Sequence, residues 1–269
     1  MATTVKISAF YRYPVKGLSA EPLQSVRIEA GQMIPGDRAF VLARGNGAFS
    51  ADHPTAYLPK TEYLMLARDE ILASVSTSYD DTSGRMTISR GGKVLINCNV
   101  HEKDGISVFE DFFSDLLELP EDQRPHLATA DRHSFSDVPM KCVSMINMAS
   151  LRDLEQSIGG ADAVGKLLDP LRFRANIYFE GAEPWAERDW AGKRIQVSRK
   201  EDQQEKGPLL YGLIQTERCA ATNVNPATGE RDANLPKALM KAYNHNQMGI
   251  YTIALTGGEL RLGDQVEIS

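Results

Sequence analysis

Apolar and polar positions alternate with a period of two through much of the first hundred residues, the signature of half-buried strands. Residues 5–10 alternate, 25–28 and 40–42 are brief, and 72–76, 86–89 and 94–96 follow. Asn46-Gly47 and Arg90-Gly91-Gly92 carry hairpin turn chemistry. Many short strands with glycine-bearing turns predict a small barrel or sandwich. One helix interrupts this pattern. Val108, Phe109, Phe112, Phe113, Leu116 and Leu117 recur at helical spacing, with Ser107 and Glu110 placed as a capping box and Pro120 as the stop. Such an aromatic stripe is core packing rather than a binding platform.

From about His126 the texture changes to mixed α and β. The polar stretch 121–125 marks a domain boundary, giving a β-barrel-like domain over 1–122 and a second domain over 123–269, a mixed, β-rich α+β chain. Residues 142–146 read as a buried strand. Ser150 with Asp153 starts a helix that ends at Gly159-Gly160, and a second short helix is expected over 161–168. Residues 172–179 read as a strand in which Arg174 and Asn176, two apart, share a face. Further strands are expected at 194–198, 209–214, 250–255 and 265–268, a polar hairpin-like tract at 199–207, and a helix at 235–243 with Pro236 in its first turn.

Composition narrows the partners. With 269 residues and 42% hydrophobic content there is ample material for a core. A net charge of −6 argues against nucleic acid as main partner and makes local cation clusters more telling. The N-terminus passes straight into alternation without a signal-like pattern, and no apolar run approaches a membrane span, so a cytoplasmic location is expected. Cys98, Cys142 and Cys219 form neither a disulfide framework nor a structural zinc site.

The stretch 216–229 offers the most chemistry: an apolar run delivers Cys219, beside Arg218, to a loop with two threonines and a Pro-Ala-Thr-Gly turn. A cationic neighbour favours the thiolate, the form that ligates metals; the alternative is an inert, half-buried cysteine. Lys16 follows Tyr13-Pro14-Val15 and Arg38 follows Gly36-Asp37. Each is either a solvated surface cation or part of an anion clamp, lysine as a point charge and arginine as a fork. Arg174 and Asn176 either reach solvent at a sheet edge or line a polar pocket. No G-x-S-x-G, H-E-x-x-H, P-loop or EF-hand pattern occurs, and His53, His101, His126, His133 and His245 lack metal-ligand spacing. A Cys–His nucleophile stays open, since such partners need be adjacent only in space. One thiol with scattered cations and amides suits a bulky anionic cofactor whose metal takes a soft sulfur ligand.

Six spaced motifs, in order, resemble the MOSC-domain family (molybdenum cofactor sulfurase C-terminal domain) preceded by its N-terminal β-barrel domain. They are Tyr13-Pro14-Val15-Lys16, Asp37-Arg38-Ala39-Phe40, Phe173-Arg174-Ala175-Asn176-Ile177, Arg218-Cys219-Ala220-Ala221-Thr222, Pro226-Ala227-Thr228-Gly229, and Gly249-Ile250-Tyr251 before Gly263-Asp264. Within that family the chain resembles the mitochondrial amidoxime reducing component and its bacterial relatives. The resemblance implies a molybdenum cofactor held by a pyranopterin dithiolene, with Cys219 as the protein's metal ligand and catalytic residue. It also implies that Lys16, Arg38, Arg174 and Arg218 neutralise and orient the cofactor. Asn176, Thr216, Thr222 and Tyr251 would hydrogen-bond it, with Ser136 a weaker candidate. Gly17 stands where the mitochondrial proteins carry serine, and Asn225 where aspartate is common. The implied reaction is two-electron reduction of hydroxylamines, amidoximes and N-hydroxy bases to amines. The sequence ends at Ser269 without four spaced cysteines for an iron–sulfur cluster, so a separate donor is implied, a ferredoxin or a haem protein with its reductase. The alternatives are a non-catalytic cofactor carrier and a sulfur-transfer protein.

Overall fold

The computed structural model describes residues 4–49, 58–129, 134–159, 168–199 and 206–269. Its strands are β1 (Lys6–Arg12), β2 (Glu21–Leu23), β3 (Ser25–Ile28), β4 (Phe40–Ala43), β5 (Ser76–Asp80), β6 (Arg85–Arg90), β7 (Lys93–Asn99), β8 (His126–Thr129), β9 (Val143–Asn147), β10 (Ile177–Glu180), β11 (Arg194–Ser198), β12 (Lys206–Glu217), β13 (Gln247–Ala254), β14 (Gly258–Arg261) and β15 (Gln265–Ile268). The helices are α1 (Lys103–Leu116), α2 (Met148–Ser157) and α3 (Leu235–Tyr243).

Seven strands run β10-β9-β13-β12-β11-β15-β1 and close where β1 pairs again with β10. Closure removes free sheet edges. Inward-facing Ile7, Phe10, Val143, Met145, Ile177, Phe179, Ile195, Val197, Leu210 and Ile250 fill the interior, each contributing about 1.5–3 kcal/mol of burial. β1 comes from the first half of the chain, so Lys6 pairs with both Glu180 and Gln265. Outside the barrel lie the β5-β6-β7 meander, covered by α1, and the ladders β4–β8 and β3–β14. This mixed, β-rich architecture is the expected class. Among the described residues no helix is long and apolar enough to cross a membrane.

Three local expectations differ from what forms. α1 begins at Lys103, a turn before the expected capping box. Gly105 allows this, because a Cβ there would collide with the Asn99 carbonyl. Glu110 instead accepts from the Leu127 amide at 2.8 Å and pairs with Arg124 at 2.8 Å. Residues Glu70–Ser74 form a 3-10 turn rather than a strand, with buried Leu72 donating its amide to the Asp69 carbonyl. α2 is capped one turn early by Asn147, whose side chain accepts from the Ala149 amide at 3.0 Å. The helix expected over 161–168 and the tract 199–207 lie largely outside the described residues.

Candidate functional site

β12 ends at Glu217, and a 3-10 turn, Ala220–Asn223, follows at once. Cys219 is extended between them and half-buried, with its carbonyl accepting from the Thr222 amide at 3.1 Å and hydroxyl at 2.9 Å. Thr222 therefore holds the turn that presents the thiol. Arg218, 8% exposed, donates from Nε and Nη2 to the Met248 carbonyl (2.8 and 2.5 Å) and from Nη1 to the Phe173 carbonyl (2.7 Å). Gly249 makes room for this. Its φ is +79°, and a Cβ would sit 2.5 Å from the Met145 carbonyl and 3.2 Å from Arg218 Nη2.

Arg174 and Asn176 do not share a strand face. Pro170–Phe173 is a 3-10 turn, nucleated by Pro170 and by Asp169, whose carboxylate accepts from the Leu171 amide at 2.8 Å. Arg174 ends the turn in the left-handed region (φ 52°), and β10 starts only at Ile177. Arg38 is also left-handed, at φ 49°. Such backbone costs about 1–3 kcal/mol for a non-glycine residue and tends to be stored where function needs it. Here it interlocks the two guanidiniums. Arg38 Nη2 donates to the Arg174 carbonyl at 2.9 Å, and Arg174 Nη1 donates to the Leu18 carbonyl at 2.6 Å. Both lie over the buried Tyr13 ring, 4.7 and 4.3 Å from its centroid. Burial pushes the Tyr13 phenol up to about 12, so the ring is neutral and offers its π face. Asp37 pairs with Arg38 and accepts from the Tyr13 amide.

Lys16 is buried, and its ammonium donates to the Phe135 carbonyl at 2.8 Å and to Asp137 at 2.6 Å. Burial lowers its pKa even against the pull of Asp137. The Asp137 carboxyl, although its surroundings disfavour charge, is held down to about 2 by Lys16. Burial likewise pulls the Arg174 and Arg218 pKa values down. Among the described residues neither arginine has a carboxylate partner; both rest on carbonyl groups and rings.

All ten residues singled out from the sequence line one cavity: Lys16, Arg38, Ser136, Arg174, Asn176, Thr216, Arg218, Cys219, Thr222 and Tyr251. Their polar atoms are not equally free. The Asn176 amide accepts from the Ser144 amide and hydroxyl and donates to the Tyr11 carbonyl, so it ties β1, β9 and β10 together. Ser136 Oγ donates to its neighbour's carbonyl at Val138. Among the described residues the buried Thr216 hydroxyl has no partner. Burial pushes the Tyr251 phenol up to about 12, leaving it a neutral donor. Gly17 lines the cavity at φ +83°, where a serine would be strained. Asn225 lies outside it, capping its own turn through the Ala227 amide and reaching Asp232.

The cavity also holds residues that motif reading passed over: Asp37, Asp137, Cys142, Ser144 and Arg172. Asp37 stood inside a quoted motif beside Arg38, and Asp137 directly follows the candidate Ser136, which was a usable signal. Cys142, its thiol pushed up to about 12 by burial, carried no such signal. Among the described residues no three His, Cys, Asp or Glu side chains gather to hold a metal. A metal here would take one protein sulfur and its other ligands from a cofactor.

Comparison with known proteins agrees with this picture. The MOSC-domain family model matches residues 130–267, more than half of the chain. The curated proteins gave no significant match. Among solved structures, the YuaD protein from Bacillus subtilis is 12% identical, with a TM-score of 0.44, covering 98% of this chain and 95% of its own. YiiM from Geobacillus stearothermophilus is 15% identical with a TM-score of 0.33, covering 47% of this chain and 53% of its own. The chain belongs to the MOSC-domain family, which is associated with molybdenum-cofactor binding.

Proposed function

We propose that this protein is a molybdenum-cofactor-dependent oxidoreductase that reduces N-hydroxylated compounds to amines, with electrons from a separate donor protein. One observation carries the reading: a half-buried thiol shares its cavity with two guanidiniums, Arg174 and Arg218, that have no carboxylate partner among the described residues. Partly desolvated charge without a counter-ion is costly, and an anionic molecule in the cavity relieves that cost. The donor set fits the cofactor the family implies. Cys219 offers one soft sulfur ligand, and the Thr216 hydroxyl is a buried polar atom with no partner among the described residues.

When bound, a pyranopterin-held molybdenum would supply the two-electron chemistry that reduces an N–O bond. The chain's residues do the rest. Arg174 and Arg218 would neutralise the cofactor's anionic groups, the Arg38 fork and the Lys16 point charge would add to this, and the neutral Tyr251 phenol would donate a hydrogen bond. Tyr13 fixes both left-handed arginines, and Thr222 fixes the thiol. The similarity to the amidoxime reducing component rests on the sequence motifs and supports N-hydroxylated compounds as the substrate class.

Molybdenum analysis of protein made in a cofactor-competent host, paired with turnover of an amidoxime by a chemical electron donor, tests this. Stoichiometric metal with turnover is expected. Metal without turnover would instead mark a cofactor carrier, and absence of both would remove the reading.

A further inference from the structure

We propose that Asp137 sets the affinity of the pocket for anions by competing with them for Lys16. This rests on the reading of the cavity as the seat of an anionic cofactor. The two members of the pair are unequal. Lys16 is 8% exposed, and its ammonium has two partners among the described residues, the Phe135 carbonyl and the Asp137 carboxylate. The Asp137 side chain is 53% exposed. Giving up the pair therefore costs Asp137 less than it costs Lys16, since water reaches about half of the carboxylate's side chain. Lys16 has no such escape and needs an anion in its place.

The backbone around Asp137 makes the exchange local. Phe135 is pinned by its amide to the Arg38 carbonyl at 2.9 Å, and its ring packs edge-on against Tyr63 and Phe49, with centroids 5.7 and 6.4 Å away. Ser134 donates to the Asp37 carbonyl at 3.1 Å. Asp137 lies two residues past this anchor in an exposed bend. Rotation of one side chain can free the Lys16 ammonium while the Phe135 carbonyl stays on it. Lys60 and Arg38 also act on the Asp137 carboxylate, so the position it holds is the common focus of three cations. A phosphate dianion, with more charge than a carboxylate, gains more there. The carboxylate stays ionised throughout the physiological range, so the competition is always present.

The test is calorimetric titration of inorganic phosphate into the full chain prepared without cofactor. Asp137→Asn is expected to bind phosphate about two- to fivefold more tightly than the wild type, on the scale of one partly exposed ion pair. The gain should vanish in the Lys16→Gln/Asp137→Asn double variant, because it runs through Lys16. Molybdenum content under limiting cofactor should rise in the single variant as well. Thermal unfolding checks the fold, and Asp137→Ser serves if the asparagine variant is unfolded. Unchanged or weaker phosphate binding overturns the proposal, as does a gain that survives in the double variant. A wild type that binds phosphate beside an Asp137→Asn that binds it no better would end the competition idea alone. A wild type that holds no molybdenum and shows no turnover when made in a cofactor-competent host would end the cofactor reading instead.

Discussion

Buried and half-buried arginines occur in two settings in this molecule, and the contrast separates scaffold from site. Arg199, 6% exposed, meets Asp264 at 2.8 Å near the end of the chain and does not line the cavity. Arg174 and Arg218 line the cavity and, among the described residues, meet carbonyl groups and rings but no carboxylate. A charge that serves packing brings its counter-ion with it. A charge kept without one is set aside for something that arrives. Even the scaffold pair is not free: burial pushes the Asp264 carboxyl up although Arg199 opposes it. Its value lies in what breaking it would leave behind.

The sharpest way to break this contrast is through the thiol. Cys219→Ala is expected to abolish turnover of an N-hydroxylated substrate while shifting the denaturant-unfolding free energy by less than about 1 kcal/mol, as for a half-buried residue outside the core. A large loss of stability would place Cys219 in the scaffold. Asp264→Ala should do the reverse. Arg199 would lose its nearest carboxylate but keep Glu259, 3.7 Å away, so the cost should be about 1–3 kcal/mol in chemical unfolding, with the molybdenum content of the folded fraction unchanged. Arg174→Met removes a charge that has no carboxylate partner among the described residues. It is expected to lower molybdenum occupancy by roughly tenfold, the equivalent of one strong charge contact, while stability of the cofactor-free chain changes by under about 1 kcal/mol. Equal losses of occupancy in Asp264→Ala and Arg174→Met would dissolve the distinction.

The smallest effect is on pH. Asp137 is depressed to about 2 by Lys16, against about 3.9 in an unfolded chain. Its contribution is present above about pH 4 and is lost as pH falls through about 2. Because the side chain is half-exposed, the effect is below about 1 kcal/mol. Acid unfolding of Asp137→Asn should be flatter over that window by this amount.

What the sequence made legible follows from the range of the forces involved. β3, β11, β15 and α3 occupy the expected spans because local period, turns and a first-turn proline settle them. The candidate site residues were legible through motifs, and all of them reach one cavity. Their conformations were not. Left-handed φ at Arg38 and Arg174 is no property of arginine; it is imposed by Tyr13, Asp37 and the Pro170 turn once the chain is assembled. The Asn176 amide looked available for a ligand but is spent joining three strands, a fact visible only with β1 and β9 in place. The Lys16–Asp137 pair spans 121 residues, beyond the reach of any local pattern.

The strand that completes the barrel has a consequence for the order in which the molecule comes together. Lys6 pairs with residues 180 and 265, so the ring cannot shut until distant parts of the chain meet, an arrangement that slows folding. Lys16 and Arg38 follow that strand, whereas Arg174, Arg218 and Cys219 belong to the segments it joins. The cation set therefore gathers as the barrel shuts, and a fluctuation that releases β1 takes the site apart while most of the barrel's ladder is still paired.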